Sequence, residues 1–436
     1  MLVLSPVVST GKFAMDPVSD VLRPLWRILR TTAQLWWKHW PALLVISILA
    51  WAGHEFFLSL AVFSTRTHAL LSFLILPFAP LSALVGYIAI LHYTAPSLMD
   101  LPSLRKKEGA AAVTSFVGVV SASILPFLAL YAAQGTAKAD KLVFLRDVFT
   151  DHLVADGLLA PEQLNDRYGY SSPLLIIAVV LIAVLIRRII SALKLNDKFP
   201  TFRLFSGYLE ALWLVSLAGL LNLYTGRITE WFHKRAMVSA VIERSEGLIE
   251  WWNTPSLPDF ITQPWGDFNG LLTALIITPL ATLTVAAAVY GATFDNNPME
   301  FGLTATIEER LDNTPSFLKR GWNMLAQYVA DIFATVRKTL AAVRKVMAAG
   351  VGPVIMMSLL VAAAGHLRTP LTMAARALVG PQAQTVWYVL RPYTTLFVEA
   401  LFMAITVPLV AACSASIARA RREQLAAERA TQEVES

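Results

Sequence analysis

Long apolar runs recur along the chain, and eight of them have about the length that a membrane-spanning helix needs. A helix that crosses about 30 Å of hydrocarbon requires roughly 20 apolar residues. The eight predicted spans are Pro41–Phe63, Ala69–His92, Ala110–Ala133, Ser172–Ile190, Phe205–Tyr224, Leu271–Ala292, Ala348–Gly365 and Tyr393–Cys413. The pattern therefore predicts an all-α fold, a polytopic integral membrane bundle of about eight transmembrane helices.

The segments between these spans divide the chain into five parts. Basic amphipathic stretches at Val21–Trp40 and Phe317–Val346 lead directly into a span, and the C-terminal residues are rich in Ala, Arg and Glu. We expect the C-terminal residues to continue the final span as a helix. The predicted parts are an N-terminal segment (1–40), spans one to six (41–292), a basic segment (293–347), spans seven and eight (348–413) and a charged tail (414–436).

Two predicted outer segments, residues 134–171 and 225–269, are long enough to carry structure of their own. Apolar residues recur at helical spacing in Leu142–His152 and again in Ile228–Trp252. Such amphipathic helices either lie flat on the membrane surface or cap the bundle from outside. The sequence leaves both arrangements open.

The distribution of basic residues orients the predicted bundle. With both termini in the cytoplasm, the inner segments hold 24 Lys and Arg residues, counting Arg187 and Arg188 at the inner end of the fourth span, against 15 Asp and Glu, and the outer segments hold 12 of each kind. An excess of Lys and Arg in cytoplasmic loops is what sets membrane topology. We therefore expect a multi-pass protein of the plasma membrane with both termini cytoplasmic. Residues 366–391, which contain three Arg and no acid on the outer side, run against this trend.

The composition agrees with a membrane protein. The 436 residues are 56% hydrophobic and 15% charged, whereas an average soluble domain has about 25% charged residues. The net charge of +6 is spread over loops beside apolar runs, which favours anionic lipid headgroups as partners of the basic inner helices and not nucleic acid. A protein partner bound through residues 317–346 and 415–436 is a further expectation.

The motifs of common membrane enzymes are missing from the sequence. It has no Gly-rich phosphate loop, no HExxH, no GxSxG and no Cys or His spacing typical of a zinc site. The single cysteine, Cys413, excludes an intrachain disulfide. We therefore predict no metal and no cofactor, and the sequence favours a function other than catalysis.

Four ionisable residues are predicted to lie in the outer half of the membrane. They are His54 and Glu55 in the first span, His366 at the end of the seventh and Glu399 in the eighth. A charge at the bilayer centre costs about 2.5–3.5 kcal/mol on insertion scales, so such residues usually face a protein interior or a cavity. We take the four as candidates for binding substrate or protons. The alternative is a structural role, as ion pairs for the glutamates and backbone or interfacial contacts for the histidines.

Proline residues fall inside several predicted spans. Pro80, Pro279 and Pro408 occur in similar Pro-Leu runs and are the candidates for helix kinks, and Pro77 and Pro126 lie inside spans as well. A proline removes a backbone hydrogen bond and bends a helix, which in transporters places hinges or binding sites. The alternative is that these prolines only shape their helices and have no functional role.

Three functions follow from these patterns. The favoured one is a transporter, or an accessory component of transport in the cell envelope, acting on an amphipathic or lipid-like substrate. The second is a membrane scaffold or a subunit of a larger complex. The third is an envelope acyl- or glycosyltransferase in which His54 relays protons for Glu55 or Glu399.

Overall fold

The computed structural model describes residues 17–98, 110–133, 136–155, 173–193, 278–290 and 351–435, together with Leu195 and most of residues 202–216. Regular structure in these residues is helical, so the all-α prediction is confirmed for them. The helices are α1 (Pro17–Ser64), α2 (Ala69–Ile75), α3 (Phe78–Thr94), α4 (Ala110–Ala133), α5 (Thr136–Ala155), α6 (Pro173–Ala192), α7 (Thr278–Tyr290), α8 (Val351–Gly365), α9 (Arg368–Val379) and α10 (Gln384–Glu435).

Three helical stretches among the described residues are long and apolar enough to cross a membrane. They are Arg23–Ser64, Ala69–Ser97 and Val389–Ala420, which overlap the first, second and eighth predicted spans. Large apolar side chains such as Leu49 and Phe397 are exposed on them, as expected for surfaces that face lipid. The described part of the chain is thus helical with three helices suited to a bilayer, and the eight-span arrangement and its orientation stay predictions.

Helix α1 joins two segments that the sequence separates. The predicted interfacial stretch and the first span form one helix of 48 residues, with Pro24 and Pro41 inside it. A proline removes one hydrogen bond and bends a helix without ending it when neighbouring contacts hold both sides. Trp26 and Trp37 near its start are largely exposed, as aromatic residues at a membrane interface are.

The second predicted span contains a break, and the prolines explain where it falls. Helix α2 ends at Ile75, residues 76 and 77 form a turn, and α3 begins at Phe78. Pro77 supplies no N–H at the break, and Pro80 lies in the first turn of α3, where a helix tolerates proline. The hydroxyl of Tyr208 donates to the carbonyl of Leu74 at 2.7 Å, which satisfies a backbone acceptor beside the break.

The other two predicted kink positions differ from Pro80. Pro279 is the second described residue of α7, so residues before the helix lie outside the description. Pro408 lies inside the continuous helix α10. Of the three, only the Pro80 region coincides with a break within the described residues.

The core of the bundle is the close packing of α1, α3 and α10. Small residues bring α1 and α3 together, and the Ser82 hydroxyl donates to the Ala50 carbonyl at 2.9 Å. A methyl group added at Gly86 would lie 2.2 Å from the Ala50 Cβ, and one at Gly53 would lie 2.2 Å from the Ser82 Oγ. Such small-residue contacts are typical of helix pairs in membranes, where close van der Waals packing drives association.

Helix α5, which contains the predicted amphipathic stretch Leu142–His152, packs against the C-terminal half of α1. Phe144 and Val148 are buried against Leu58 and Ala61 of that helix. Of the two arrangements the sequence leaves open, packing on the bundle is therefore the one observed for this stretch. The second stretch, Ile228–Trp252, and the basic stretch Phe317–Val346 lie outside the described residues.

Candidate functional site

His54 lies at the centre of a buried polar cluster formed by three helices. Its ring is 1% exposed, and its Nε2 lies 2.8 Å from the Tyr131 hydroxyl and 2.9 Å from Oδ2 of Asp140. The Tyr131 hydroxyl also donates to Asp140 Oδ2. The ring of Trp51 packs on the imidazole, with centroids 4.7 Å apart. A carboxylate, an imidazole and a phenol in mutual contact can hold and exchange protons.

Local sequence explains how these groups meet. Tyr131 lies in the last turn of α4 and Asp140 in the second turn of α5, so the short connection at residues 134–135 places them side by side. Asp140 shares the face of α5 that carries Phe144 and Val148, because residues four apart align on a helix. That face packs on α1, which brings Asp140 to His54.

The contacts also define the direction of α5. Asp140 lies beside His54, and eleven residues further on Asp151 accepts hydrogen bonds from Arg66, one of them from Nε at 2.9 Å. Helices α1 and α5 therefore run side by side in the same direction. Asp140 retains 19% exposure of its side chain, so it is the member of the cluster nearest to the surface of the bundle.

Glu55 and Glu399 lie near the same cluster. Neither forms a hydrogen bond with His54 in the described structure. Glu55 is partly buried and near enough to His54 and Asp140 for their charges to interact. Glu399 likewise interacts with Asp140 and His54 through space. The structure thus brings three of the four sequence candidates, His54, Glu55 and Glu399, to one region.

Glu399 forms an ion pair with Arg368, the first residue of α9. The guanidinium Nε and a terminal nitrogen lie 3.2 and 3.1 Å from Glu399 Oε2. The same guanidinium lies over the ring of Phe402, one turn further along α10, with its carbon 4.3 Å from the centroid. Arg368 is therefore fixed over one turn of α10 by an ion pair and a cation–π contact.

A cavity of about 560 Å³ lies beside this cluster. Its walls are mostly apolar, with Phe127, Val361, Phe402 and Met403 among them. This volume is in the range of about 300–1,000 Å³ in which proteins hold small organic ligands. The polar groups on its walls include Tyr131, which also bonds the Asp140 carboxylate, and Arg368, which also bonds Glu399.

His366, the fourth sequence candidate, lies in the turn between α8 and α9 and lines the same cavity. It is exposed, in contrast to the buried His54. The cavity therefore lies between the His54 cluster, reached through Tyr131, and the α8–α9 turn with its imidazole and the nearby Arg368.

Some residues that line the cavity carry buried polar atoms without a hydrogen-bond partner among the described residues. The indole Nε1 of Trp51 and the hydroxyls of Tyr87 and Thr136 are buried and have no hydrogen bond to any described residue. Buried polar groups are nearly always satisfied, because leaving one unpaired costs about 1–3 kcal/mol. Two of these groups, the Trp51 indole and the Tyr87 hydroxyl, belong to residues that are more than nine-tenths buried.

Tyr131 and Asp140 are the site residues that sequence reasoning misses. The available signal is the position of Asp140 on the apolar face of an amphipathic helix, where a carboxylate needs a partner. Tyr131 gives no comparable signal, since aromatic residues near the end of a span are common at interfaces.

No metal site is evident in the described part of the chain, where no three His, Cys, Asp or Glu residues are grouped to hold an ion. Comparison of the chain with protein-family models, with curated proteins and with solved structures finds no match. The functional conclusion therefore rests on the geometry of the cluster and the cavity.

Proposed function

We propose that this chain is a multi-pass plasma-membrane protein that binds an amphipathic, lipid-like substrate, as a transporter or an accessory component of transport in the cell envelope. One observation carries the proposal: an apolar-walled cavity among helices suited to a bilayer, with a few polar residues such as Arg368 and Thr406 on its wall. Apolar walls suit a hydrocarbon chain, and the polar groups suit an oxygen-rich head.

Two basic side chains on the cavity wall support an anionic head, which would compete with Glu399 for Arg368. Residues 366–391 contain three Arg and no acid, and two residues of this stretch, His366 and Arg368, line the cavity. A single-chain molecule with a carboxylate, sulfonate or phosphate head meets these requirements.

The extended C-terminal part of α10 supports the accessory form of this function. The helix continues to Glu435, well past the end of the apolar stretch at Ala420, and Arg422 and Glu423 on it are exposed. A charged helix that leaves the bundle is a surface on which a cytoplasmic partner can dock. A partner at residues 415–436 is therefore part of the proposal.

A transferase is a second candidate, favoured by one observation. A carboxylate, that of Asp140, approaches His54 within 2.9 Å, which is the contact that an acid–base pair requires. The cavity wall, however, is formed by Tyr131 and not by His54 itself. A general base has to reach the proton it removes, so the observed arrangement favours binding over catalysis.

Binding of a pyrene-labelled dodecyl sulfonate to the full chain in lipid nanodiscs tests the proposal. The sulfonate is anionic at every working pH, and pyrene fluorescence reports its transfer into a protected site. We expect saturable binding that Thr406→Trp weakens by about tenfold or more, because Thr406 lines the cavity and an indole would fill it.

Phe397→Trp is the matched control, since this position lies on the same helix and is 53% exposed away from the core. It should bind the probe like the unmodified chain. Absence of saturable binding, or equal binding by the Thr406→Trp chain, would show that the cavity does not hold an amphipathic anion.

A further inference from the structure

The cluster of His54, Tyr131 and Asp140 extends from the surface of the bundle to the cavity. Asp140 is partly exposed, His54 is buried behind it, and Tyr131 contacts both while also lining the cavity. A proton taken up at the carboxylate can therefore be held on a group in direct contact with the cavity wall. The known role of imidazole–carboxylate pairs in moving protons near neutral pH fits this arrangement.

The ring of His54 has an unused position for a proton. Both contacts of the imidazole are made by Nε2, and Nδ1 is buried with no hydrogen-bond partner among the described residues. Donation from Nε2–H to the carboxylate leaves the Nδ1 lone pair free, so the imidazole can accept one further proton. The resulting imidazolium would be paired with the Asp140 carboxylate at 2.9 Å.

We propose that the His54–Tyr131–Asp140 cluster binds one proton together with the anionic substrate, so that the cavity is a proton-linked site. This inference rests on the proposed function for its ligand. Uptake of one proton from water changes the cluster from a net charge of −1 to zero, with no covalent step. Loss of that negative charge beside the cavity favours the entry of an anion.

Other charged groups surround the cluster and contribute to the electrostatic potential at it. Helix α1 contributes the negative charge of Glu55. Helix α5 contributes the ion pair of Arg146 with Asp147, whose nearest atoms lie 2.5 Å apart. Helices α9 and α10 contribute the ion pair of Arg368 with Glu399. The residues concerned are Glu55, Arg146, Asp147, Arg368 and Glu399. Because four of these five are paired with one another, Glu55 and the His366 imidazole on the cavity wall are the remaining groups whose protonation would also affect anion binding.

The test measures the dissociation constant of the pyrene-labelled dodecyl sulfonate from pH 5 to pH 9, with the full chain in nanodiscs. A single linked proton tightens binding by up to about tenfold for each unit of falling pH, because the protonated form binds the anion better. A pH indicator in weak buffer should report uptake of up to one proton for each probe bound.

Four variants test whether the pH dependence of binding comes from the cluster or from neighbouring charged groups. Asp140→Asn and Tyr131→Phe should flatten the pH dependence, and Glu55→Gln should leave most of it. Asp151→Asn is the matched control, since this aspartate lies on the same helix but pairs with Arg66 at the end of α1. Asp151→Asn should retain the full dependence.

Two results would overturn the inference, and only the second would also overturn the proposed function. If the unmodified chain binds the probe with a constant affinity, or if its pH dependence survives in both Asp140→Asn and Tyr131→Phe, proton linkage is wrong while the proposed function stands. If no saturable binding occurs at any pH, the proposed function fails, and the linked site fails with it.

Discussion

Replacing Gly86 with alanine is expected to destabilise the bundle by about 1–3 kcal/mol, because an added methyl group would lie 2.2 Å from the Ala50 Cβ. The neighbouring atom is a methyl group fixed to the backbone of α1, so it cannot turn aside. The two helices would have to separate, and this would weaken the Ser82–Ala50 hydrogen bond between them.

The chain carries its own reporter for this measurement. Cys413 is the only cysteine and is 1% exposed, so a thiol-reactive fluorophore should label it only when the bundle opens. We expect labelling of the Gly86→Ala chain to begin at a temperature several degrees lower. Gly365→Ala is the matched control, because a methyl group at Gly365 meets no atom within 4 Å.

A compensating change makes the prediction sharper. Ala50→Gly in the Gly86→Ala chain moves the methyl group from one helix to the other and should restore much of the lost stability. A Gly86→Ala chain that opens at the same temperature as the unmodified chain would show that α1 and α3 do not pack at this distance.

Replacing Arg368 with methionine is expected to cost about 2–3 kcal/mol, less than the ~3–5 kcal/mol of a fully buried pair because both partners keep some exposure. Exposure of the Arg368 and Glu399 side chains is 27% and 17%. Methionine retains an apolar stem over Phe402, so the change removes mainly the charge. The loss arises because the Glu399 carboxylate stays in place without its cation.

The double variant Arg368→Met/Glu399→Gln separates the two roles of this pair. It removes both charges and should recover most of the stability, as measured by Cys413 labelling. Its affinity for the anionic probe should be lower than that of the unmodified chain, because the cation beside the cavity is gone. Equal stability of the Arg368→Met and unmodified chains would contradict the observed ion pair.

The helical class of the chain and one helix are predictable from apolar periodicity alone. The predicted run Ala110–Ala133 is helical throughout, as helix α4. This succeeds because a run of apolar residues bounded by polar ones needs no information about its neighbours. The same reasoning does not show that the interfacial stretch and the first span form one continuous helix, since Pro41 lies inside α1. Whether a proline kinks or ends a helix depends on packing that the sequence does not display.

The site is predictable only in part, for a related reason. Depth in the membrane identifies His54 and Glu399 as candidates, because buried charge is costly wherever it occurs. Their partners depend on which helices meet: Asp140 lies 86 residues from His54 along the chain, and Arg368 lies 31 residues from Glu399. Pairing across such separations is a property of tertiary structure, and no local pattern encodes it.

The most direct test of a lipid-binding cavity is to find where an amphipathic anion lies when it is bound. A dodecyl sulfonate with a diazirine near the end of its chain can be bound in nanodiscs, activated by light and mapped by mass spectrometry of peptides. We expect labelling of Phe127, Val361 and Met403 on the cavity wall, and loss of that labelling in the Thr406→Trp chain. Labelling confined to lipid-facing residues such as Leu49 and Phe397 would contradict the account.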